Sequence, residues 1–408
     1  MYLKYERKDD KFMSKLKVLI LPSWYPDKEN PILGIFFKEQ AEALNQHIDV
    51  AVLSVTPILL NKPYEAIMKR KLEMYVEKEL MTFKSNYFNW APKMPKIRNK
   101  IYISKLIQSY QEVVEVFGKP DIIHAHVSYP AGYGAMILSE KFNVPFIVTE
   151  HSTVFEKEIM TKYNTYTIEV LKNANFYIAV GSSLKKAIIK AGRKQCQIVP
   201  NFCNMEKFDL TNSPLTKKAG VFNLINISIM TEKKGIDILL RALHKTIFEY
   251  NYTNIHLHLI GSGPNKKEYE NLARELNLIN NCTFHGRLND YELAKYMSLS
   301  DALVISSRIE TFGVVGIEAM ACGIPVIATI CGGPEDYIED GVGILVEKEN
   351  VDRLSEGIIS MIDNYDNYNS SYIKKYVYDN YSSKAVCHHI LSIYDDMVNN
   401  HNKLKMIL

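Results

Sequence analysis

DALVISSRIETFGVVGIEAMACGIPVIATICGGPEDY, residues Asp301 to Tyr337, is the stretch that decides the fold. Ala302 to Ile305 is a short apolar run, the length of a strand buried on both faces. A polar turn follows, Ser306-Ser307-Arg308-Ile309-Glu310. Thr311-Phe312-Gly313 then leads into a predicted helix over Val314 to Ala321, which Gly323 and Pro325 stop. Pro325 to Thr329 reads as a second strand, and Cys331-Gly332-Gly333-Pro334 as a loop. Strand, turn, helix, strand places a helix N-terminus at the carboxyl edge of a parallel sheet, where such folds bind ligands.

Two carboxylates mark this unit, Glu310 in the turn and Glu318 inside the helix. A chain half extended and half helical between them sets the two on the order of 10 Å apart. That separation suits the two ends of a nucleotide-sugar. Between them lie the backbone N–H groups of Thr311, Phe312, Gly313 and Val314, which suit a diphosphate. Glu318 then accepts ribose hydroxyls and Glu310 hydroxyls of the sugar. The competing reading is an N-terminal glutamate and an ordinary helix glutamate.

The surrounding residues carry more information. Ser307 to Gly313, then Glu318 to Ala328, then Gly332-Gly333 together resemble the signature of glycosyltransferase family 4. Glu310 and Glu318 match the E-x(7)-E motif of that family. The resemblance implies a retaining glycosyltransferase of the GT-B fold, with two Rossmann-like doubly wound α/β domains facing across a cleft.

The rest of the chain agrees with two domains. Its 408 residues exceed what one core usually supports. Hydrophobic residues make up 47% and charged residues 23%, the ordinary globular range. A net charge of +3 implies no general affinity for nucleic acid. No apolar run approaches the ~20 residues that span a bilayer. The N-terminal segment is charged and lacks a signal-peptide core, and Met13 is an alternative start. The six cysteines have neither metal-ligand nor disulfide-framework spacing, which points to a reduced, cytoplasmic protein.

Lys17 to Leu21 reads as a buried strand, Ile35 to Leu44 as a helix and Asp49 to Val55 as a second strand. Gly34, between the first strand and that helix, has two readings. It is a turn glycine with positive φ, or the remnant of the glycine loop that family members place opposite the donor phosphate. His126 ends the strand Asp121 to His126, and His151 follows the strand Pro145 to Val148. Strand ends gather sites in doubly wound sheets. Each histidine is therefore structural or part of the site, and both match family motifs, H-A-H and T-E-H.

A second strand–helix alternation starts near Phe222. By resemblance, Lys234 is the lysine that contacts the donor diphosphate. Family members often carry an arginine about five residues earlier, where this chain has Ile229; Arg308 is the substitute the sequence offers. The expected catalytic set is Glu310, His126 and Lys234. The expected substrate contacts are Gly34, His151, Arg308, Thr311, Phe312, Gly313, Val314 and Glu318. The expected domains are an acceptor domain over 1–205, a nucleotide-sugar domain over 206–382, and a helix over 383–408 that returns to the first. The sequence contains no Asp-x-Asp, so no metal or other cofactor is expected; a UDP- or GDP-linked sugar enters as substrate.

Leu60 to Lys105 stands apart. It holds eleven Lys/Arg against four Glu, interleaved with Tyr64, Tyr75, Phe83, Tyr87, Phe88, Trp90 and Tyr102. It reads as a patch for an anionic membrane face, or as a solvated helical insertion. The first reading fits a lipid-linked saccharide acceptor in surface polysaccharide or glycolipid assembly. Three rivals remain: a small-molecule glycosyltransferase with a sucrose- or trehalose-like product, a catalytically silent GT-B subunit, and an NAD-dependent oxidoreductase. For the last, Gly261-Ser262-Gly263 starts the fingerprint but Lys266 stands at its third glycine.

Overall fold

The computed structural model describes residues 16–27, 30–58, 72–153, 155, 159, 164–208 and 220–407. Met13 and the stretch from Leu60 to Lys71 lie outside the described residues. Two sheets form the frame. The first orders its strands β3-β4-β2-β1-β5-β6-β7-β8. These are β1 Lys17–Pro22, β2 Asp49–Ile58, β3 Glu73–Glu77, β4 Leu80–Phe88, β5 Ile122–His126, β6 Phe146–Glu150, β7 Phe176–Ala179 and β8 Gln197–Ile198. β4, β2, β1, β5 and β6 run parallel, and β3 turns back antiparallel on β4. Val18 to Leu21 are fully buried in the centre, as expected for a strand covered on both faces.

The second sheet has the order β11-β10-β9-β12-β13-β14. Its strands are β9 Phe222–Ile227, β10 Ile255–Ile260, β11 Cys282–Gly286, β12 Ala302–Ile305, β13 Val326–Thr329 and β14 Gly343–Val346. All its pairings are parallel. Its core joins Leu224, Leu257 and Val304 from the strands to Leu240, Leu243, Leu354 and Ile358 from the helices Ile236–Phe248 and Val351–Asp363. Full burial of each such side chain contributes about 1.5–3 kcal/mol. Both sheets are therefore Rossmann-like and flanked by helices, the second parallel throughout and the first carrying one antiparallel edge strand, β3.

The chain forms two compact units. One takes the chain up to Thr149, Thr165–Phe176 and the chain end from Leu391. The other takes Glu150–Asn164 and Tyr177–Ile390. The last helix, Ser383–Ile407, is continuous, and its part from Leu391 belongs to the first unit. There Tyr394 meets His124 of β5, hydroxyl to Nδ1 at 2.6 Å.

Several elements differ from the sequence reading. Strand β13 begins at Val326, because Pro325 has no N–H to give the ladder; its carbonyl still accepts from Leu303 at 3.0 Å. The tyrosine-rich segment after Asp363 runs into an unforeseen helix, Ser370–Tyr381, whose N-cap Asn369 accepts from the Tyr372 N–H. A second unforeseen helix covers Asn164–Asn173. The basic segment is no helical insertion over its described part. It is the β3–β4 hairpin, a short loop, and the helix Pro95–Phe117. Phe83 is 1% exposed there, packed in the sheet.

Candidate active site

Strand β12 ends at Ile305, and the chain turns through Ser306 to Gly313 into the helix Val314–Ala321. Gly313 sits at φ 81°, the left-handed region, and starts that helix without a side-chain cap. Among the described residues, no hydrogen bond is recorded from the N–H of Thr311, Phe312, Gly313 or Val314. Donors of a helix first turn have no partner within the helix. Phe312 contributes backbone only, its ring being 1% exposed against Tyr337 at 5.3 Å between centroids.

Glu310 is fixed from three directions. Its N–H donates to the Cys331 carbonyl at 3.0 Å. Its Oε1 accepts from Ser307 Oγ at 2.9 Å and from Lys234 Nζ in an ion pair. Glu310 and Lys234, 76 residues apart in sequence, are thus brought together. The side chains are only 10% and 18% exposed, so the pair is little screened by water.

Lys234 stands in a tight turn, Glu232–Lys234, just after β9. That turn is clamped by the segment following β12. Ser306 Oγ donates to the Lys234 carbonyl at 2.9 Å, and the Arg308 N–H to the Lys233 carbonyl at 2.8 Å. The Arg308 guanidinium donates to the Glu232 carbonyl at 2.5 Å and forks onto Asp237 at 3.0 and 2.8 Å, with Glu349 at 3.3 Å. The hydrogen bond to Asp237 pushes its pKa up. The sequence reading of Arg308 as a substitute phosphate cation thus meets a guanidinium already engaged by protein groups. A bidentate carboxylate holds it, and it lines another cavity, with Asp237 and Arg241.

A cavity of about 360 Å³ opens beside Glu310, lined by Thr311, Cys331, Gly332, Glu335 and Ser183, all in the second compact unit. Glu335 accepts the Gly332 N–H at 2.8 and 3.0 Å. Burial pushes the Cys331 thiol up to about 12, so it is no nucleophile. His151 is 8% exposed, and its N–H donates to Glu150 Oε1 at 3.0 Å; the next residue, Ser152, lines the same cavity. Glu318 is half-buried on the helix Val314–Ala321.

His126 and Gly34 are in the first unit. His126 ends β5 with no exposure, its ring 4.5 Å from that of His124 and 4.7 Å from that of Phe37. Its carbonyl accepts from the Ser23 N–H and hydroxyl. Gly34 has φ 73°, and a Cβ there would stand 2.8 Å from the Trp24 carbonyl. That backbone position requires a glycine, as the turn reading expects.

Some site residues escaped the sequence reading. Ser307 lies in the quoted run, but its bond to Glu310 depends on how the turn closes. Tyr337 ends that run, 24 residues from Gly313, yet its hydroxyl donates to the Gly313 carbonyl at 3.0 Å. Asp237 gave no signal beyond being acidic in a helix first turn. Among the described residues, no three His, Cys, Asp or Glu side chains are grouped to hold a metal ion.

Comparison with known proteins completes the assignment. A family model for glycosyltransferase family 4 matches residues 35–207, and one for glycosyl transferases group 1 matches residues 212–400. An uncharacterized glycosyltransferase of Methanocaldococcus jannaschii is 29% identical over 72% of this chain and 78% of its own. A Bacillus subtilis glycosyltransferase assigned to teichuronic acid biosynthesis, TuaC, is 22% identical over 84% of this chain and 88% of its own. The structure of Anabaena HepE in complex with UDP-glucose matches with TM-score 0.69 at 18% identity, over 94% of this chain and 100% of that one. The motif, the paired sheets and these matches agree: the chain is a glycosyltransferase, a member of group 1/family 4 with the GT-B fold.

Proposed function

We propose that this enzyme moves a sugar from a UDP- or GDP-linked donor to a saccharide or lipid-linked acceptor, with retention, in surface polysaccharide or glycolipid assembly. The observation that carries the reading is the Lys234–Glu310 pair, set beside the open helix N-terminus at Gly313 and over a polar cavity. The donor diphosphate takes the N–H groups from Thr311 to Val314 and the charge of Lys234. Arg308 acts one step back, bracing the turn that presents Lys234. Glu318 takes the ribose hydroxyls. Glu310 takes sugar hydroxyls, aided by His151, whose neighbour Ser152 lines the same cavity.

In the reaction the bond from the anomeric carbon to the diphosphate oxygen breaks. The acceptor oxygen bonds to that carbon on the same face. The acceptor proton passes to the departing phosphate oxygen. Lys234 and the helix terminus stabilise the negative charge as it develops. The part up to residue 205 supplies the acceptor side, with His126 at its strand end, and 206–382 the donor side.

HepE was solved with UDP-glucose, which favours a uridine donor here. TuaC, assigned to teichuronic acid biosynthesis, favours a surface-polymer acceptor. Such acceptors place the enzyme in the cytoplasm, in peripheral contact with an anionic membrane face. Among the described residues, no helix is long and apolar enough to cross a membrane.

The test is a panel of UDP- and GDP-sugars incubated with the protein, with and without EDTA, followed by release of nucleoside diphosphate. One donor should be turned over, and EDTA should leave the rate unchanged, because the chain has no Asp-x-Asp and a cationic phosphate site. Turnover of none of them would sink the reading. A strict need for divalent metal would move leaving-group stabilisation away from Lys234.

A further inference from the structure

From Leu80 to Gln111 the chain carries six cations and no carboxylate. The structure divides this run into parts that are used inside the fold and parts that face out. Phe83 and Tyr102 are buried, Lys84 Nζ donates to the Pro26 carbonyl at 2.9 Å, and Arg98 donates to the Tyr129 hydroxyl at 3.1 Å. What remains outside is concentrated at one place. The loop Asn89–Met94 joins β4 to the helix Pro95–Phe117, pinned by buried Asn89 and Ala91. Between these pins Trp90 is turned outward, 60% exposed, and Met94 is 54% exposed. Lys93, Lys96 and Lys100 are exposed beside them. Trp90 lines an open cavity of about 520 Å³ together with Tyr87, Ile97, Lys100, Ile101 and Lys105.

We propose that this surface docks the protein on an anionic phospholipid leaflet, with Trp90 and Met94 as the inserted anchors. The proposal deepens the reading of a lipid-linked acceptor and rests on it. An exposed tryptophan suits the headgroup level, where its apolar ring is buried and its N–H stays wet. Lysines beside it carry their charge to the headgroups along apolar stems. Lys93, Lys96 and Lys100 lie in a run without a carboxylate, so an anionic surface complements them. Each exposed lysine near an anionic surface contributes about fivefold in partitioning. Lys93, Lys96 and Lys100 together then contribute about a hundredfold.

The test uses the full chain and vesicles without donor or acceptor. The vesicles are phosphatidylglycerol–phosphatidylcholine mixtures or phosphatidylcholine alone. The protein should pellet with the anionic vesicles at low salt and be released as salt rises, because screening acts over about 8 Å at physiological ionic strength. The chain has two tryptophans, so Trp90→Phe leaves Trp24 as the control. Brominated lipid should quench wild-type emission and leave the Trp90→Phe protein unquenched. The triple variant Lys93→Gln, Lys96→Gln and Lys100→Gln should lose about a hundredfold in partitioning. Calorimetry with nucleoside diphosphate should give the same affinity in every variant, which shows that each is folded. Absence of pelleting, equal pelleting on neutral vesicles, or quenching that survives Trp90→Phe would each overturn the proposal. Docking without transfer to any lipid-linked acceptor would instead sink the acceptor reading and leave the docking surface standing.

Discussion

Lys234 Nζ and Glu310 Oε1 form an ion pair, and the same oxygen accepts from Ser307. The two groups proposed to divide the donor between them, phosphate to one and sugar to the other, thus neutralise each other. On that proposal, donor binding exchanges this pair for two ligand contacts. The exchange is possible without large cost because each partner gains a charge-assisted bond as it loses one.

The first expected outcome follows from that exchange. Glu310→Gln should lower transfer ten- to more than a hundredfold, since a hydrogen bond to a charged group contributes about 1.5–3 kcal/mol. Affinity for free nucleoside diphosphate should hold or tighten, because Lys234 is released to the phosphate. Calorimetry and initial rates on one preparation check both halves. Wild-type turnover by folded Glu310→Gln would remove Glu310 from the site.

Glu318→Ala should act on the other end of the donor. It should weaken nucleoside diphosphate binding, about tenfold or more for a lost charge-assisted bond, while a folded protein remains. Unchanged affinity in a titration with the diphosphate alone would leave Glu318 as a helix residue and no more.

Tyr337 is fully buried, and its hydroxyl donates to the Gly313 carbonyl, which also accepts the Gly316 N–H at 2.9 Å. Gly316 makes room for it, since a Cβ there would lie 2.2 Å from the hydroxyl. Burial raises the Tyr337 pKa well above its ordinary value, so it stays a donor across the physiological range. Tyr337→Phe keeps the ring and deletes only this hold on Gly313 at the start of the helix proposed to bind the diphosphate. It should raise the donor KM about fivefold, matching the ~1 kcal/mol of one net hydrogen bond, with kcat less affected. A change in melting temperature with unaltered KM would make the tyrosine purely structural.

Much of this was legible in sequence, for reasons that can be named. Strands β1 and β12 are continuous apolar runs, and the helix at Val314 has a glycine before it and Gly323 after it; such signals are local. The helix Ser370–Tyr381 was not legible, because tyrosine and asparagine resemble a loop until Ile373, Val377 and Tyr381 are seen buried on one side. The partners of Arg308 were not legible, because Asp237 and Glu349 lie 71 and 41 residues away. The Lys234–Glu310 contact was not legible either: both residues were recognised, but their pairing is set by how β9 and β12 lie side by side.

The last expected outcome concerns stability and rests on β5. His124 is completely buried, with Nδ1 on the Tyr394 hydroxyl and Nε2 on Thr149 Oγ1 at 2.8 Å. Burial drives its pKa down from 6.5 to about 3. The folded protein therefore keeps His124 neutral where the unfolded chain takes a proton. Stability from this source is intact above pH 6.5 and declines as pH falls toward about 3, by up to ~1.4 kcal/mol per pH unit. Between pH 7.5 and 5.0 the loss from His124 should be about 2 kcal/mol. Denaturant titrations of the first-unit signal at those two pH values check it. His124→Asn, which does not titrate, should lower stability at pH 7.5 but shed most of that pH dependence. Tyr394→Phe should cost about 1–3 kcal/mol, because it leaves a buried imidazole nitrogen without its hydroxyl. An unchanged pH slope in His124→Asn would show that His124 is protonated in the folded protein, and that its contact with Tyr394 tolerates the charge.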